Sequence, residues 1–423
     1  MKNLKLDTLC VQAGYDPKSG EARIPPIVQS TTFRYENTQD MADLFDLKTD
    51  GYFYTRLANP TVAAFEGKVA ALEGGACAIG CASGMSATAL MVMTVAGAGD
   101  NIVSSQAIYG GSFNLFSTTL PKLGIECRFF DPDAPAEEIE KLIDGRTKMI
   151  FTESVANPSI VVLDFEKIAK IAKKHKVLFA VDNTLTTPIL VKPVEWGANL
   201  VVHSSSKYLD GHAAALGGVI VDLANFNYKG NPRYASFNEP DESYHGLVYA
   251  DLKVAFGTKC RAQMIRDFGA IMSPQNAFLS YIGCDTLALR MERHSSNAEK
   301  IAAYLSKHPK IEWINHPSLP DNKYHALAKK YMPAGQGGMM SFGIKGSVEK
   351  CATFMEALKL ITQETHVADA RSCVLHPAST THRQLSEAEL KAAGVPHNLV
   401  RLSVGIENPE DLIEDLKQAL EKV

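Results

Sequence analysis

From about residue 61 to 260 the chain repeats one pattern. Short apolar runs, rich in β-branched and aromatic residues, alternate with longer stretches of helical periodicity. The runs are CAIGCASG, NIVSSQ, IECRFF, KMIFTES, VLFAVDN, NLVVHSSS and GGVIVD. Helix-like segments at 61–73, 112–123, 136–144 and 165–175 lie between several of them. The pattern predicts an α/β fold with a mostly parallel central sheet, covered on both faces. In such sheets a ligand sits beyond the carboxyl ends of the strands. Ser83, Asp182, Ser204 and Lys207 end or follow these runs, so they are the first candidates for chemistry.

The flanks read differently. Residues 1–60 have little periodicity and carry Pro25-Pro26, the hydroxyl run Ser30-Thr31-Thr32 and the aromatic stretch Gly51-Tyr52-Phe53-Tyr54. An arm this long needs a surface to lie on, and in an oligomer a neighbouring subunit supplies one. The segment around Ala87–Ala98 reads as a buried helix that ends at the Gly99-Asp100 turn. Residues 223–250 read as a polar, aromatic surface insertion, and a long helix-like stretch then runs to about 306. EWINHP, GMMSFGI and LVRLSVGIE read as strands of a smaller C-terminal α/β domain, closed by a helix at 409–423. The expected division is an arm at 1–60, a main domain at 61–265 and a C-terminal domain at 266–423.

Composition narrows the function classes. At 423 residues and 46.0 kDa, two or three lobes are expected. Hydrophobic residues at 46% and charged residues at 21% match an ordinary soluble globular protein. The net charge of −4 gives a nucleic-acid partner no electrostatic support. The N-terminus MKNLKLDTLC lacks an apolar leader core, and no apolar run is long enough to span a bilayer. Eight scattered cysteines form no CxxC pair, which argues against a zinc site and a disulfide framework. Reduced thiols in a cytoplasmic protein are the expectation.

Two segments carry the chemistry. VDNTLTTP is an apolar run ending in Asp182, and HSSSKYLDGH follows the run NLVVH and holds Lys207. A lysine just past a buried strand is partly desolvated, which lowers its pKa and makes it a nucleophile for aldehydes. An acid at another strand end can pair with a protonated pyridine nitrogen and strengthen an electron sink. The ordinary alternative is a solvated lysine and a helix-capping aspartate. A third segment, CASGMSA, sets Ser83-Gly84-Met85 between a strand and a helix, a ready anion site. Together these are the parts of a pyridoxal-phosphate (PLP) site: phosphate cradle, pyridine partner and amine.

The sequence also resembles the Cys/Met-metabolism PLP-dependent enzymes. YTRLANPT (54–61), ASGMSA (82–87), AIYGGSFNLF (107–116), ESVANP (153–158), VDNT (181–184), HSSSKYLDGH (203–212) and RLSVGIE (401–407) fall in that family's order. The resemblance implies the type I PLP-dependent transferase fold. It implies that Lys207 carries PLP and then shuttles protons, and that Asp182 pairs with the pyridinium. Gly84, Met85, Ser204 and Ser206 would hold the phosphate, reached by Tyr54 and Arg56 from a neighbouring subunit. Tyr109 would stack on the ring and serve as an acid or base, and Asn157 would bond the ring hydroxyl. Arg401 would grip the substrate α-carboxylate, with Ser372 as a second candidate for that pocket. Taken singly, Arg56 could be a surface residue, Tyr109 a core aromatic, and Arg401 the partner of an interior carboxylate. Ser206 stands where the family often has Thr, and Ala213-Ala214 depart from the usual small pair.

Within the family, ADARSCVLHPASTTHRQL (368–385) and FNEPDESYHGL (237–247) resemble the branch that adds sulfide to O-acetylhomoserine. Gly111 stands where methionine γ-lyases commonly have Cys. The implied reaction is γ-replacement to homocysteine and acetate, or to methionine with methanethiol. A γ-lyase or a cystathionine-type enzyme is the same-family alternative. A non-catalytic PLP-holding protein is opposed by the presence of Tyr109 and Arg401. A nicotinamide dehydrogenase is opposed by the absence of GxGxxG on a first strand-turn-helix. No metal is implied, and the expected assembly is a homotetramer of active-site dimers.

Overall fold

All seven apolar runs form strands of one sheet. A computed structural model describes residues 4–381, 383 and 395–423. The strands are β1 (Cys77–Cys81), β2 (Asn101–Ser105), β3 (Glu126–Phe130), β4 (Thr147–Glu153), β5 (Leu178–Asp182), β6 (Leu200–His203) and β7 (Gly218–Asp222), in the order β1-β7-β6-β5-β4-β2-β3. Strands β2 to β6 are mutually parallel, and β7 is antiparallel to both neighbours. Two reversals leave β1 running with the parallel set. Its carboxyl end, which leads into Ser83 and Gly84, therefore lies at the same edge as those of β4, β5 and β6.

Both faces of the sheet are buried. Ala180, Val202 and Ile220 pack into one cluster, while Val181, Val201, Val219 and Val221 pack into another on the opposite face. This is why the runs are apolar throughout and do not alternate with polar residues. The covering helices follow their sequence signals. The helix Pro60–Glu73 starts at an Asn59 cap with Pro at its first position and stops at left-handed Gly74. The helix Phe165–His175 is capped by Asp164 and buries Phe165, Ile168, Ile171 and Ala172, a helical stripe, with basic residues in its last turn.

A second sheet holds β8 (Ile311–Asn315), β9 (Met339–Ile344), β10 (Thr362–Gln363), β11 (Cys373–Leu375) and β12 (Leu399–Ser403), in the order β10-β11-β12-β9-β8. Helices Leu287–Leu305 and Pro409–Leu420 pack on it. The first spans both bodies: Leu287 and Met291 join the main cluster, while Ile301 and Leu305 join the small one. On β12, Val400 and Leu402 enter that core, so the two-residue period turns Arg401 to the other face.

Several segments depart from the sequence pattern. The arm contains helices Leu6–Gln12 and Thr38–Phe45. The 112–123 segment is a helix Gly110–Asn114, a π-helical turn Leu115–Thr119 and a last turn Leu120–Lys122. The long stretch to 306 is broken into separate helices, among them Ala255–Lys259, Pro274–Asp285 and Leu287–Leu305. Residues 223–250 are not a surface insertion. Tyr234, Phe237 and Tyr249 are buried there, and Tyr228 stacks on Phe237 at 4.2 Å. Its polar residues mask an aromatic layer that covers one face of the sheet. Of the 368–385 motif, His382 and residues 384–385 lie outside the described residues. Among the described residues, no helix is long and apolar enough to cross a membrane.

Candidate active site

The parallel strands end in chemistry. Glu153 closes β4, Asp182 closes β5, and β6 leads through His203 into Ser204, Ser206 and Lys207. These ends, the start of the helix Gly84–Val95 and Arg401 of β12 help to enclose a cavity of about 540 Å³. Lys207, Asp182, Gly84, Met85, Ser204, Ser206, Asn157, Tyr109 and Arg401 all line it.

At one end the cavity is built for an anion. Ser83 caps the helix Gly84–Val95: its hydroxyl accepts from the Ser86 amide at 3.1 Å, and the Ser86 hydroxyl accepts from the Ser83 amide at 2.9 Å. The first amides of the helix are left to face the cavity. Opposite them, the Ser204 and Ser206 hydroxyls lie 2.9 Å apart. The Ser204 amide donates to Thr184 Oγ1 at 2.9 Å. A Cβ on Gly84 would lie 2.6 Å from the Ser204 Cβ, so only glycine lets the two loops meet.

Asp182 lines the same cavity, and its Oδ1 accepts from the Thr184 amide at 2.9 Å. Burial raises its pKa, against the bonds from Thr184 and the nearby His203. Glu153 sits beside it as its register partner on β4. Lys207 Nζ, also in the lining, lies 3.0 Å from His366 Nδ1. Burial, and then the charge of Arg401, lower the lysine to about 8. Arg401 is 6% exposed and donates to Asn157 Oδ1 at 3.3 Å and to the carbonyls of Thr365 and His366 at 3.4 and 3.3 Å. Among the described residues it has no ion-pair partner, so the interior carboxylate suggested as an alternative is not there. Burial brings its pKa down to about 10.

Three candidates lie elsewhere. Tyr54 and Arg56 sit on the arm, where the guanidinium is 5.4 Å from the Tyr54 ring centre and donates to the Arg266 carbonyl. They face a separate groove with Tyr244 and Arg266. Ser372 is buried outside the cavity lining, and its hydroxyl donates to Glu407 at 3.0 Å and accepts from the Gly405 amide at 2.8 Å. Two titratable residues of the lining, Glu153 and His366, have no role expected from the sequence. Glu153 ends a strand as Asp182 does, and that signal could have found it. His366 lies in a loop without periodicity, and nothing around it marks it.

The sequence model of the "Cys/Met metabolism PLP-dependent enzyme" family matches residues 7–421. The chain belongs to this family. The O-acetyl-L-homoserine sulfhydrylase of Leptospira meyeri is 43% identical, over 100% of this chain and 98% of its own length. A Campylobacter jejuni structure, provisionally named an O-acetylhomoserine (thiol)-lyase and holding a pyridoxyl-lysine phosphate, is 43% identical with a TM-score of 0.95, covering 99% of this chain and 100% of that one. The metB structure of Corynebacterium glutamicum is 32% identical with a TM-score of 0.84, over 99% and 98% of the two chains.

The family member's cavity fits PLP. An amine with a lowered pKa, a buried carboxylate and a hydroxyl-and-amide cradle line one cavity, and these are the groups that the cofactor's aldehyde, ring nitrogen and phosphate call for. One consequence is testable through pH. A lysine must be neutral to attack an aldehyde, and the neutral fraction rises as pH climbs through the pKa. Lys207 at about 8 is therefore mostly neutral well below the range of an exposed lysine. The rate at which the PLP-free enzyme captures PLP is expected to rise with pH and level off above about pH 8. Stopped-flow absorbance checks this; a rate still climbing steeply at pH 10 would mean an unperturbed amine.

Proposed function

We propose that this chain carries out γ-replacement on O-acetyl-L-homoserine, giving L-homocysteine and acetate with sulfide as the nucleophile. The reading rests on relatives named for this activity and on one observation: a buried guanidinium, with no carboxylate partner among the described residues, faces the same cavity as Lys207. A free amino acid brings the missing carboxylate. Methanethiol in place of sulfide would give methionine.

The residues divide the work as follows. PLP, when bound, withdraws electrons from Cα and so makes the Cα and then the Cβ hydrogens removable, which frees acetate from Cγ. Lys207 would hold the cofactor and would move the Cα proton of the substrate. Asp182 pairs with the ring nitrogen, and Asn157 bonds the ring hydroxyl. Gly84, Met85, Ser204 and Ser206 hold the phosphate. Tyr109 covers the ring and exchanges a proton near Cγ. Arg401 fixes the α-carboxylate. The site keeps water away while sulfide adds, because water would divert the product to an oxoacid and ammonia.

The test is a product assay with O-acetylhomoserine, with and without sulfide. Homocysteine formed only with sulfide is the expected result. Release of 2-oxobutyrate without sulfide, or from methionine, would make the enzyme a γ-lyase.

The arm extends the proposal to the assembly. Tyr54 and Arg56 do not line the cavity of their own chain, and we assign them to the phosphate site of a neighbouring subunit, within a cytoplasmic homotetramer of active-site dimers. Residues 1–60 then act as an arm, with the cofactor domain at 61–265 and the C-terminal domain at 266–423. Mixing inactive Arg56→Ala and Lys207→Ala subunits is expected to restore part of the activity, since one site of each mixed dimer is intact. If subunit exchange is demonstrated and activity stays absent, Arg56 serves its own chain.

A further inference from the structure

Glu153 has the placement of a working residue and no part in the reaction above. It is 8% exposed and closes β4 directly beside Asp182, its register partner on β5. Its Oε1 accepts from the Tyr109 amide at 2.6 Å, and the Asn157 amide also points to the carboxyl. One side chain thus grips the backbone of the two residues assigned to the ring face and the ring hydroxyl. Neither Glu153 nor Asp182 has an ion-pair partner among the described residues. Lys207 bonds His366, and Arg401 bonds Asn157 and two carbonyls.

Charge counting then decides the state of the pair. Two adjacent buried carboxylates cannot both stay ionised without cations, as like charges in low dielectric raise each other's proton affinity. Burial and the Asp182 charge both push Glu153 well above the usual carboxylate range. A protonated pyridine nitrogen brings one positive charge, enough for Asp182 alone. Among the described residues, the other titratable groups lining the cavity are Tyr109, Lys207, His366 and Arg401, and His203, bonded to Glu73 at 2.7 Å, also acts on Asp182.

We propose that Glu153 is a neutral acid in the working enzyme and a positioning residue, holding Tyr109 and Asn157 in place and leaving the single negative charge on Asp182. This rests on the PLP reading of the site.

Three variants of the loaded enzyme test it. Glu153→Gln keeps the acceptor for the Tyr109 amide and is neutral, like the proposed acid. It should retain PLP, leave kcat close to wild type, and leave unchanged the pH midpoint of the lysine-bound cofactor's visible band. Glu153→Leu loses the acceptor at similar volume, and kcat should fall roughly ten- to hundredfold with KM little changed. Glu153→Asp, which shortens the reach, should fall between them. The wild-type infrared spectrum should contain a protonated carboxylic-acid band that the Gln variant lacks.

A downward shift of the midpoint in Glu153→Gln would reveal a lost negative charge and overturn the proposal, as would absence of the acid band. Full activity in Glu153→Leu would overturn the positioning role. If that variant does not fold, Glu153→Asp and the infrared band still decide. A wild-type enzyme with no visible band removes the cofactor reading and this proposal with it, whereas a normal band with an ionised Glu153 removes this proposal alone.

Discussion

Lys207→Ala is expected to lose the covalent bond to PLP and activity by about three orders of magnitude or more, while the fold survives. Two functions leave with one amine: the attachment point and the base at Cα. General acid–base transfer alone is worth roughly 10²–10⁴ in rate. The fold should tolerate the change because, among the described residues, Lys207 Nζ bonds only to His366 at 3.0 Å, and it faces the cavity. The other holds proposed for the cofactor remain in the variant: the Ser83-capped helix start, the Ser204 and Ser206 hydroxyls, and Asp182. PLP should therefore still bind, without the visible band of a lysine-bound cofactor. Borohydride reduction followed by peptide mass analysis reads the bond directly. A reducible lysine adduct in Lys207→Ala would place the attachment elsewhere and sink the assignment. Circular dichroism and thermal melting separate loss of chemistry from loss of fold.

The central sheet was legible because burial on both faces forces long apolar runs, and seven such runs stand out against helical stretches. The ends of those runs were legible for the same reason. A polar or charged residue that stops a buried strand, such as Asp182, must be used or satisfied. Glu153 obeyed the same logic and was available to it. The arm was harder: the helix Thr38–Phe45 buries only Leu44, so its apolar face is too thin to mark it in sequence. The 223–250 segment misled for the opposite reason. Its Asn, Asp, Glu and Pro residues are turn formers, yet the aromatics between them are core. His366 was invisible because its role comes from tertiary contact: a short loop between two small strands brings it to Lys207 across the cavity. Ser372 is a suggestive hydroxyl that is engaged by Glu407 and Gly405 and lies outside the cavity lining.

Arg401 should prove the strongest single contact with the substrate outside the cofactor. A guanidinium at 6% exposure without an ion-pair partner among the described residues is costly to keep, since charge is expensive to bury unpaired. The protein holds it from behind with neutral acceptors: Asn157 Oδ1 and the carbonyls of Thr365 and His366. These bonds fix the plane of the fork without satisfying its charge. A substrate carboxylate meets a donor pair already aimed at it, in the bidentate geometry that suits arginine. Losing one partner of a buried charged pair costs on the order of 2–5 kcal/mol. The expected loss in kcat/KM for Arg401→Ala is then on the order of tens- to thousands-fold. Arg401→Lys keeps a charge but not the fork, and should be impaired to a lesser degree. Both variants should retain PLP with near-normal visible spectra. The decisive comparison is O-acetylhomoserine against its decarboxylated amine analogue. Wild type should strongly prefer the amino acid, and Arg401→Ala should prefer it only weakly, because the group that reads the carboxylate is gone. Equal discrimination by the two enzymes would show that Arg401 does not read it. The reading group would then lie elsewhere in the cavity, and Ser372, with its hydroxyl bonded to Glu407, would have to move to provide it.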